Sequence, residues 1–223
     1  MELSYWRSRW NKGNVGFHMP GGYPGLSKYW HSLPIPQPPT VLVPLCGKSE
    51  DLDFLTHNAS QVTGVEISET AVRSYFDERG IVPEESCSHG FSILSHENLQ
   101  IWIGDFFRFP ETTGKKFDLI YDKAALIALP DAARTRYAKK IEALIAEHPK
   151  PHGLLHHFEY NQEEMNGPPF SVPLTEIDSL FGSLFTITIL EEVEPEPGKY
   201  EKFRRRGLIS TLKERFLFLH PKC

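Results

Sequence analysis

From Thr40 to about Phe158 the chain repeats one pattern: a short run rich in Val, Ile, Leu or Phe, a turn, then a stretch of helical periodicity. Strands that alternate with helices pair in parallel, because the crossover between parallel strands needs about the length of a helix. Thr40-Val41-Leu42-Val43, Gln61-Val62-Thr63-Gly64-Val65, Leu99-Gln100-Ile101-Trp102-Ile103, Phe117-Asp118-Leu119-Ile120-Tyr121 and Leu154-Leu155-His156-His157-Phe158 read as strands. Ser49 is placed to cap a helix carrying Leu52 and Leu55, and Ser68 one that buries Ala71, Val72, Tyr75 and Phe76. From Asp131 to His148 the apolar positions Tyr137, Ile141, Leu144 and Ile145 fall on one helical face. After Phe158 come a Pro/Gly loop, a short helix over Thr175 to Phe181, and two last strands, Phe185 to Leu190 and Glu214 to Leu219, which would close the sheet as a hairpin. The expectation is an α/β fold: a seven-stranded, mostly parallel sheet with helices on both faces, Rossmann-like in plan.

The amino-terminal forty residues differ in kind. Trp6 and Trp10 are i, i+4 neighbours on a short helix, Phe17 follows, and Pro34, Pro36, Pro38 and Pro39 form a stiff connection into the first strand. Residues 1–39 therefore read as an arm on a single domain spanning 1–223, a length that one core can serve. A formal charge of −5 offers no general attraction to a phosphate backbone or an anionic membrane, so neither nucleic acid nor membrane is an expected partner. Cys46, Cys87 and Cys223 form no C-x-x-C pair, and no segment approaches the apolar length of a membrane span. A cytoplasmic protein is expected, monomeric by default.

In open parallel sheets ligands bind beyond the carboxyl ends of the strands, where strand order reverses. The turn after the first strand is Pro44-Leu45-Cys46-Gly47-Lys48-Ser49-Glu50-Asp51. Its Gly-Lys-Ser is no phosphate-binding P-loop, since the required earlier glycine is Leu42, and Gly47 stands outside any G-x-G-x-x-G. Glu50 and Asp51 in the first helical turn would repel a pyrophosphate. Glu66, nineteen residues after Gly47, has the spacing of an acid that accepts from both ribose hydroxyls, with an ordinary surface glutamate as the alternative. Asp105, in Gly104-Asp105-Phe106-Phe107, suits either an adenine ring or a helix N-cap. Asp122-Lys123 ends the fourth strand, and Ala124-Ala125 leaves room beside it. Ribose and adenine recognition without a phosphate cradle points to S-adenosylmethionine.

Six blocks resemble the thiopurine S-methyltransferase family: Trp6-x-x-x-Trp10 with Gly16-Phe17-His18; Pro44-Leu45-Cys46-Gly47-Lys48-Ser49 with Asp51; Gly64-Val65-Glu66-Ile67-Ser68; Gly104-Asp105-Phe106-Phe107; Tyr121-Asp122-Lys123-Ala124-Ala125 through Pro130; and Gly167-Pro168-Pro169-Phe170-Ser171-Val172. A weaker echo lies in Arg206-Gly207-Leu208. The resemblance implies the class I S-adenosylmethionine-dependent methyltransferase fold, with the amino-terminal arm covering the cofactor site. Carried over by position, it implies that Trp10 lies against the cofactor, that Leu45 presents backbone to it, and that Glu66 binds its ribose. Lys123 falls on a cofactor- or substrate-proximal position where the family usually has arginine. Lysine keeps the charge and loses the planar fork, so one charge-assisted contact survives where a bidentate one does not.

The implied reaction moves a methyl group from S-adenosylmethionine to a small thiol or thione such as a thiopurine. Trp10, Phe17 and the Pro168-Pro169-Phe170 loop would close an apolar chamber, and Lys123 would favour the thiolate. Other readings stay open: another soft nucleophile such as a different thiol, a selenium species or a halide-like anion; a non-catalytic S-adenosylmethionine-binding protein; and, least favoured for want of phosphate-binding glycines, a NAD-dependent oxidoreductase. Adjacent His156 and His157 point to opposite faces of their strand, and no metal site with His152 is expected because no further ligand has suitable spacing. The acidic run Glu191 to Glu196 and the basic one from Lys199 to Arg206 read as solvated loops, the basic end also being able to reach a site.

Overall fold

A computed structural model gives the structure of the chain, describing residues 3–15, 18–112, 114–146, 151–194, 198 and 200–222. Phe17, His148, Glu196, Lys199 and Cys223 lie outside the described residues. Contacts divide the chain into two compact units, one of residues up to Tyr121 and the other from Asp122 onward.

The first unit contains α1 (Leu3–Asn11), α2 (Pro24–Trp30), β1 (Thr40–Pro44), α3 (Asp51–Asn58), β2 (Gln61–Glu66), α4 (Glu69–Asp77), β3 (Glu84–Ser88), β4 (Phe91–His96) and β5 (Leu99–Ile103). β6 (Leu119–Lys123) begins in it and runs across the unit boundary. β1 is parallel to β2, β2 to β5, and β1 also to β6. The chain thus steps outward from β1 to β5, then returns to the other side of β1, and the strand order reverses at the carboxyl end of β1. Val41, Leu42, Val62 and Val65 are fully buried, as strands covered on both faces require.

The sheet has nine strands, not seven, and is mixed where a mostly parallel one was expected. All seven predicted strands are present; the additional pair is the antiparallel hairpin of β3 and β4, with β4 antiparallel to β5. β3 is Glu-Glu-Ser-Cys-Ser and largely exposed, so it lacks the apolar alternation that marks a strand. The legible signal was His89-Gly90, both at positive φ, the requirement of a tight hairpin turn whose twist matches its strands.

Helix boundaries follow the local chemistry. Ser68 caps α4 by accepting from Ala71 N, and Ala71, Val72, Tyr75 and Phe76 are buried as the periodicity predicts. α3 starts at Asp51 and buries Leu52 and Leu55, but its N-cap position is Glu50 and not the expected Ser49, whose hydroxyl accepts the Asp51 N–H from one residue further out. α2 was not predicted, because Pro24-Gly25 reads as a turn. Pro24 occupies the first helical position, where its missing N–H costs nothing, and Leu26 and Trp30 are buried, Trp30 edge-on to Phe54. α1 lies beside the start of α4: Arg7 Nε donates to Ile67 O (3.3 Å) and Thr70 Oγ1 to Asn11 Oδ1 (2.7 Å).

Asp51 ties the amino-terminal segment to this unit. Its buried carboxylate accepts from Tyr23 N (2.6 Å), Tyr121 OH (3.0 Å) and Ser49 Oγ (3.0 Å). Gly22 lies so close that a Cβ there would fall 2.5 Å from Asp51 Oδ1. Beside it, Glu50 accepts from Gly21 N (2.8 Å) and faces His18.

The second unit contains the end of β6, α5 (Asp131–Ile145), β7 (His152–Glu159), α6 (Leu174–Phe181), β8 (Phe185–Val193), α7 (Glu201–Arg204) and β9 (Lys213–Pro221). β9 lies between β7 and β8 and is antiparallel to both. His156 and His157 do turn to opposite faces: His156 Nε2 meets Glu214 Oε1 at 2.9 Å, and His157 Nδ1 donates to Val172 O at 2.9 Å. The His152 ring stacks instead on Phe218.

Two stability predictions follow from these buried groups. Asp51→Ala removes a buried acceptor shared by Tyr23 N, Tyr121 OH and Ser49 Oγ, and should cost about 2–4 kcal/mol in urea unfolding, against about 1 kcal/mol for Tyr121→Phe. Burial lowers His157 to about 4, so it is neutral in the native protein and protonates near 6.5 when unfolded. Its stabilising effect is complete above about pH 6.5 and is lost as pH falls through 4, about 3 kcal/mol in all. Urea titrations between pH 7 and 4 should show a shallower decline for His157→Gln than for the wild type; parallel declines would refute the assignment.

Candidate functional site

The turn after β1 is strained where a ligand-binding turn is expected. Leu45 has φ +50°, a left-handed conformation that costs a side-chain-bearing residue about 1 kcal/mol or more. Gly47, at φ +55°, lies under the Trp10 ring, and a Cβ there would come within 3.0 Å of Trp10 Cζ2. Cys46 points the other way, its Sγ where a Cβ on Gly64 would approach to 2.8 Å. Burial first, and Glu66 second, push the Cys46 thiol well above its ordinary pKa, so it is a packing group and no nucleophile.

Glu66 joins this turn to the next. Its buried Oε2 accepts from Gly47 N (2.9 Å) and its Oε1 from Ser68 N (2.9 Å). Burial raises its pKa while the N–H groups of Ser68, Gly47 and Ile67 pull it back. A carboxylate has about four lone-pair sites, so with these N–H groups bound it retains capacity to accept from a ribose hydroxyl. The surface-glutamate alternative is thereby excluded, since Glu66 is 5% exposed.

The neighbouring charges are already engaged. Lys48 is ion-paired with Glu78, and Glu50 and Asp51 hold residues 18–23. Of the acids at the start of α3, Glu50 and Asp51 thus anchor the amino-terminal segment, while Asp53 binds Tyr75 and Arg79. Asp105 is an N-cap: its Oδ1 accepts from Phe107 N (3.0 Å) at the head of the 3-10 turn Phe106–Arg108.

In the second unit the turn after β6 is built on Asp122. Its Oδ1 accepts from Ala125 N (2.8 Å) and Leu126 N (3.2 Å), and its Oδ2 from Tyr137 OH (2.8 Å). Burial pushes this carboxyl up to about 6. Lys123 follows, half-buried, and Ala124 takes φ +66°. The Gly-Pro-Pro-Phe loop is tied to the same turn, since Phe170 N donates to Ile127 O (2.7 Å) and Tyr160 OH to Pro169 O (2.7 Å). The Phe170 ring folds back over Gly167, where a Cβ would fall 2.3 Å from it. Glu164 Oε2 accepts from Ile209 N and Ser210 N, both at 2.7 Å. Arg204 donates to the carbonyls of Leu208, Ile209 and Ser210, and Arg206 to that of Asn166. Arg204, Arg205 and Arg206 are all exposed, as the reading of this stretch as solvated expects, and Arg204 and Arg206 in addition fasten loops.

The structure therefore brings Trp10, the Leu45–Gly47 turn and Glu66 together within the first unit and places Lys123 in the second. Sequence reasoning missed the partners of Asp51 and the pairing of Asp122 with Tyr137, whose place in the helical stripe marked it only as core.

The model of the family described as Thiopurine S-methyltransferase (TPMT) matches residues 1–220. A probable thiopurine S-methyltransferase of Yarrowia lipolytica is 42% identical over 210 residues, covering 93% of this chain and 95% of its own. A thiopurine S-methyltransferase of Pseudomonas fluorescens strain Pf0-1 is 38% identical over 215 residues, covering 96% and 97%. Among solved structures, a SAM-dependent methyltransferase from Anabaena variabilis aligns with TM-score 0.66 at 14% identity, over 99% of this chain and 95% of that one. The Burkholderia thailandensis 1,6-didemethyltoxoflavin-N1-methyltransferase, crystallised with 1,6-didemethyltoxoflavin and S-adenosylhomocysteine, aligns with TM-score 0.59 at 16% identity, over 98% and 87%. The structural likenesses establish the α/β methyltransferase-like fold, and the family match establishes that the chain belongs to the thiopurine S-methyltransferase family.

Proposed function

We propose that Trp10, Leu45 and Glu66 bind S-adenosylmethionine, that Lys123 stands on the acceptor side of the same cofactor site, and that residues 1–39 cover this site as the arm of a single methyltransferase domain. The activity is S-adenosylmethionine-dependent methyl transfer to the sulfur of a small molecule, as in the family to which the chain belongs. The observation that carries the site assignment is the Glu66 carboxylate, buried and held in place by the backbone N–H groups of the turns after β1 and β2. It fits a ribose, and the engaged Lys48, Glu50 and Asp51 leave no cradle for a phosphate.

S-adenosylmethionine supplies a methyl group on a sulfonium, open to in-line displacement by sulfur. The chain supplies position and charge. Glu66 accepts from the ribose hydroxyls, the Leu45 turn presents backbone groups, and Trp10 supplies an aromatic surface above Gly47. The acceptor is a small thiol or thione. An aromatic thiol ionises readily, so no strong base is required, and the Lys123 ammonium favours its thiolate form. The Pro168-Pro169-Phe170 loop contributes apolar surface on the acceptor side. The protein works as a monomer in the cytoplasm; no helix among the described residues is long and apolar enough to cross a membrane.

The test is release of adenosylhomocysteine from S-adenosylmethionine with 6-mercaptopurine and a panel of small thiols, for the wild type and Lys123→Met, across pH. Loss of the ammonium should lower kcat/KM about tenfold near pH 7, and should move the thiolate-dependent limb of the pH profile upward by about one unit. Unchanged turnover with an unchanged profile would remove Lys123 from the reaction.

A further inference from the structure

Asp122 is nearly fully buried, and each of its carboxylate oxygens is bound. One oxygen holds the two N–H groups that begin the 3-10 turn Leu126–Ala128; the other holds the Tyr137 hydroxyl from α5. Between the carboxylate and the N–H groups it binds lie Lys123 and Ala124, the latter forced to φ +66°. Such a conformation is disfavoured for alanine and persists where surrounding bonds impose it. Beyond the turn, Ile127 O receives the Phe170 N–H, so the carboxylate that closes the turn also fixes the carbonyl on which the Gly-Pro-Pro-Phe loop is hung. Tyr160 OH, on the Pro169 carbonyl, secures the loop's other side. One buried charge therefore sets the backbone of both acceptor-side segments named above, through contiguous hydrogen bonds on rigid elements.

We propose that Asp122, clamped by Tyr137, is a positioning residue for the methyl acceptor, aligning the turn that carries Lys123 with the loop that carries Phe170. It touches neither reactant in this account and acts through the backbone. The inference rests on the reading of Lys123 and Phe170 as acceptor-side groups. It adds that their relative placement is set from α5, so that a change at Tyr137 is felt in acceptor binding and leaves the residues that bind the cofactor's ribose undisturbed.

Tyr137→Phe removes one bond to the carboxylate and keeps the ring that fills the core. The test compares wild type, Tyr137→Phe and Asp122→Asn by steady-state kinetics with 6-mercaptopurine or the best thiol of the panel, by calorimetric titration with adenosylhomocysteine, and by thermal unfolding, with assays run well below each unfolding midpoint. Loss of a hydrogen bond to a charged group should raise the acceptor KM of Tyr137→Phe about tenfold, with adenosylhomocysteine Kd within about twofold of wild type. Asp122→Asn, which keeps an acceptor oxygen for the turn, should fall between the two. An acceptor KM unchanged in Tyr137→Phe would overturn the proposal, as would acceptor KM and adenosylhomocysteine Kd rising together. Should Asp122→Asn not fold, Tyr137→Phe decides alone. A wild-type chain that binds adenosylhomocysteine but methylates no thiol would overturn the acceptor reading itself, and this inference with it.

Discussion

Two backbone N–H groups, from Gly47 and Ser68, converge on the carboxylate of Glu66, and the arrangement of the turns after β1 and β2 depends on that convergence. Burying an ionisable carboxylate is unfavourable unless hydrogen bonds compensate, and burial indeed raises its pKa against the pull of those N–H groups. The bonds also fix the turns that follow β1 and β2 relative to each other. Glycine suits position 47 on two counts, its positive φ and the indole above it. Gly64, one strand over, leaves room for the Cys46 side chain that the same turn pushes inward.

A second carboxylate, Asp51, does for the amino-terminal segment what Glu66 does for the turns. It reaches Tyr23, Tyr121 and Ser49 at once, so the segment before α2, the start of α3 and a strand of the sheet share one buried acceptor. Asp122 repeats the device in the second unit with Tyr137 as its hydroxyl partner. In each case a buried carboxylate accepts from several N–H or O–H groups at once, which offsets the cost of its burial. The chain's acidity is thus used internally at these points, as fixed acceptors for backbone turns.

Much of this was legible in the sequence where the physics is local. Val41, Leu42, Val62 and Val65 read as strands because strands covered on both faces are continuous apolar runs. Ser68 read as a cap because its offset to a helical stripe is fixed by helix geometry. The place of Glu66 at the end of β2 was readable from its spacing to Gly47, since that spacing reflects one strand–helix–strand unit. What could not be read depended on distant partners or on exposure. β3 carries no apolar face, so only the His89-Gly90 turn betrays it. Asp105 allowed two roles, and its bond to Phe107 N shows that it caps the 3-10 turn. Asp51 looked like a guard against phosphate, because its partners Tyr23 and Tyr121 are 28 and 70 residues away along the chain.

The central claim is that the Glu66 carboxylate, held by the turns on either side, binds the cofactor's ribose. Calorimetric titration of adenosylhomocysteine into wild type and Glu66→Gln, each shown folded by its unfolding transition, tests it most directly. The account predicts binding by the wild type and a 10- to 100-fold weaker Kd in the variant, roughly the loss of hydrogen bonds to a charged group. An unchanged Kd in a folded Glu66→Gln variant would contradict it.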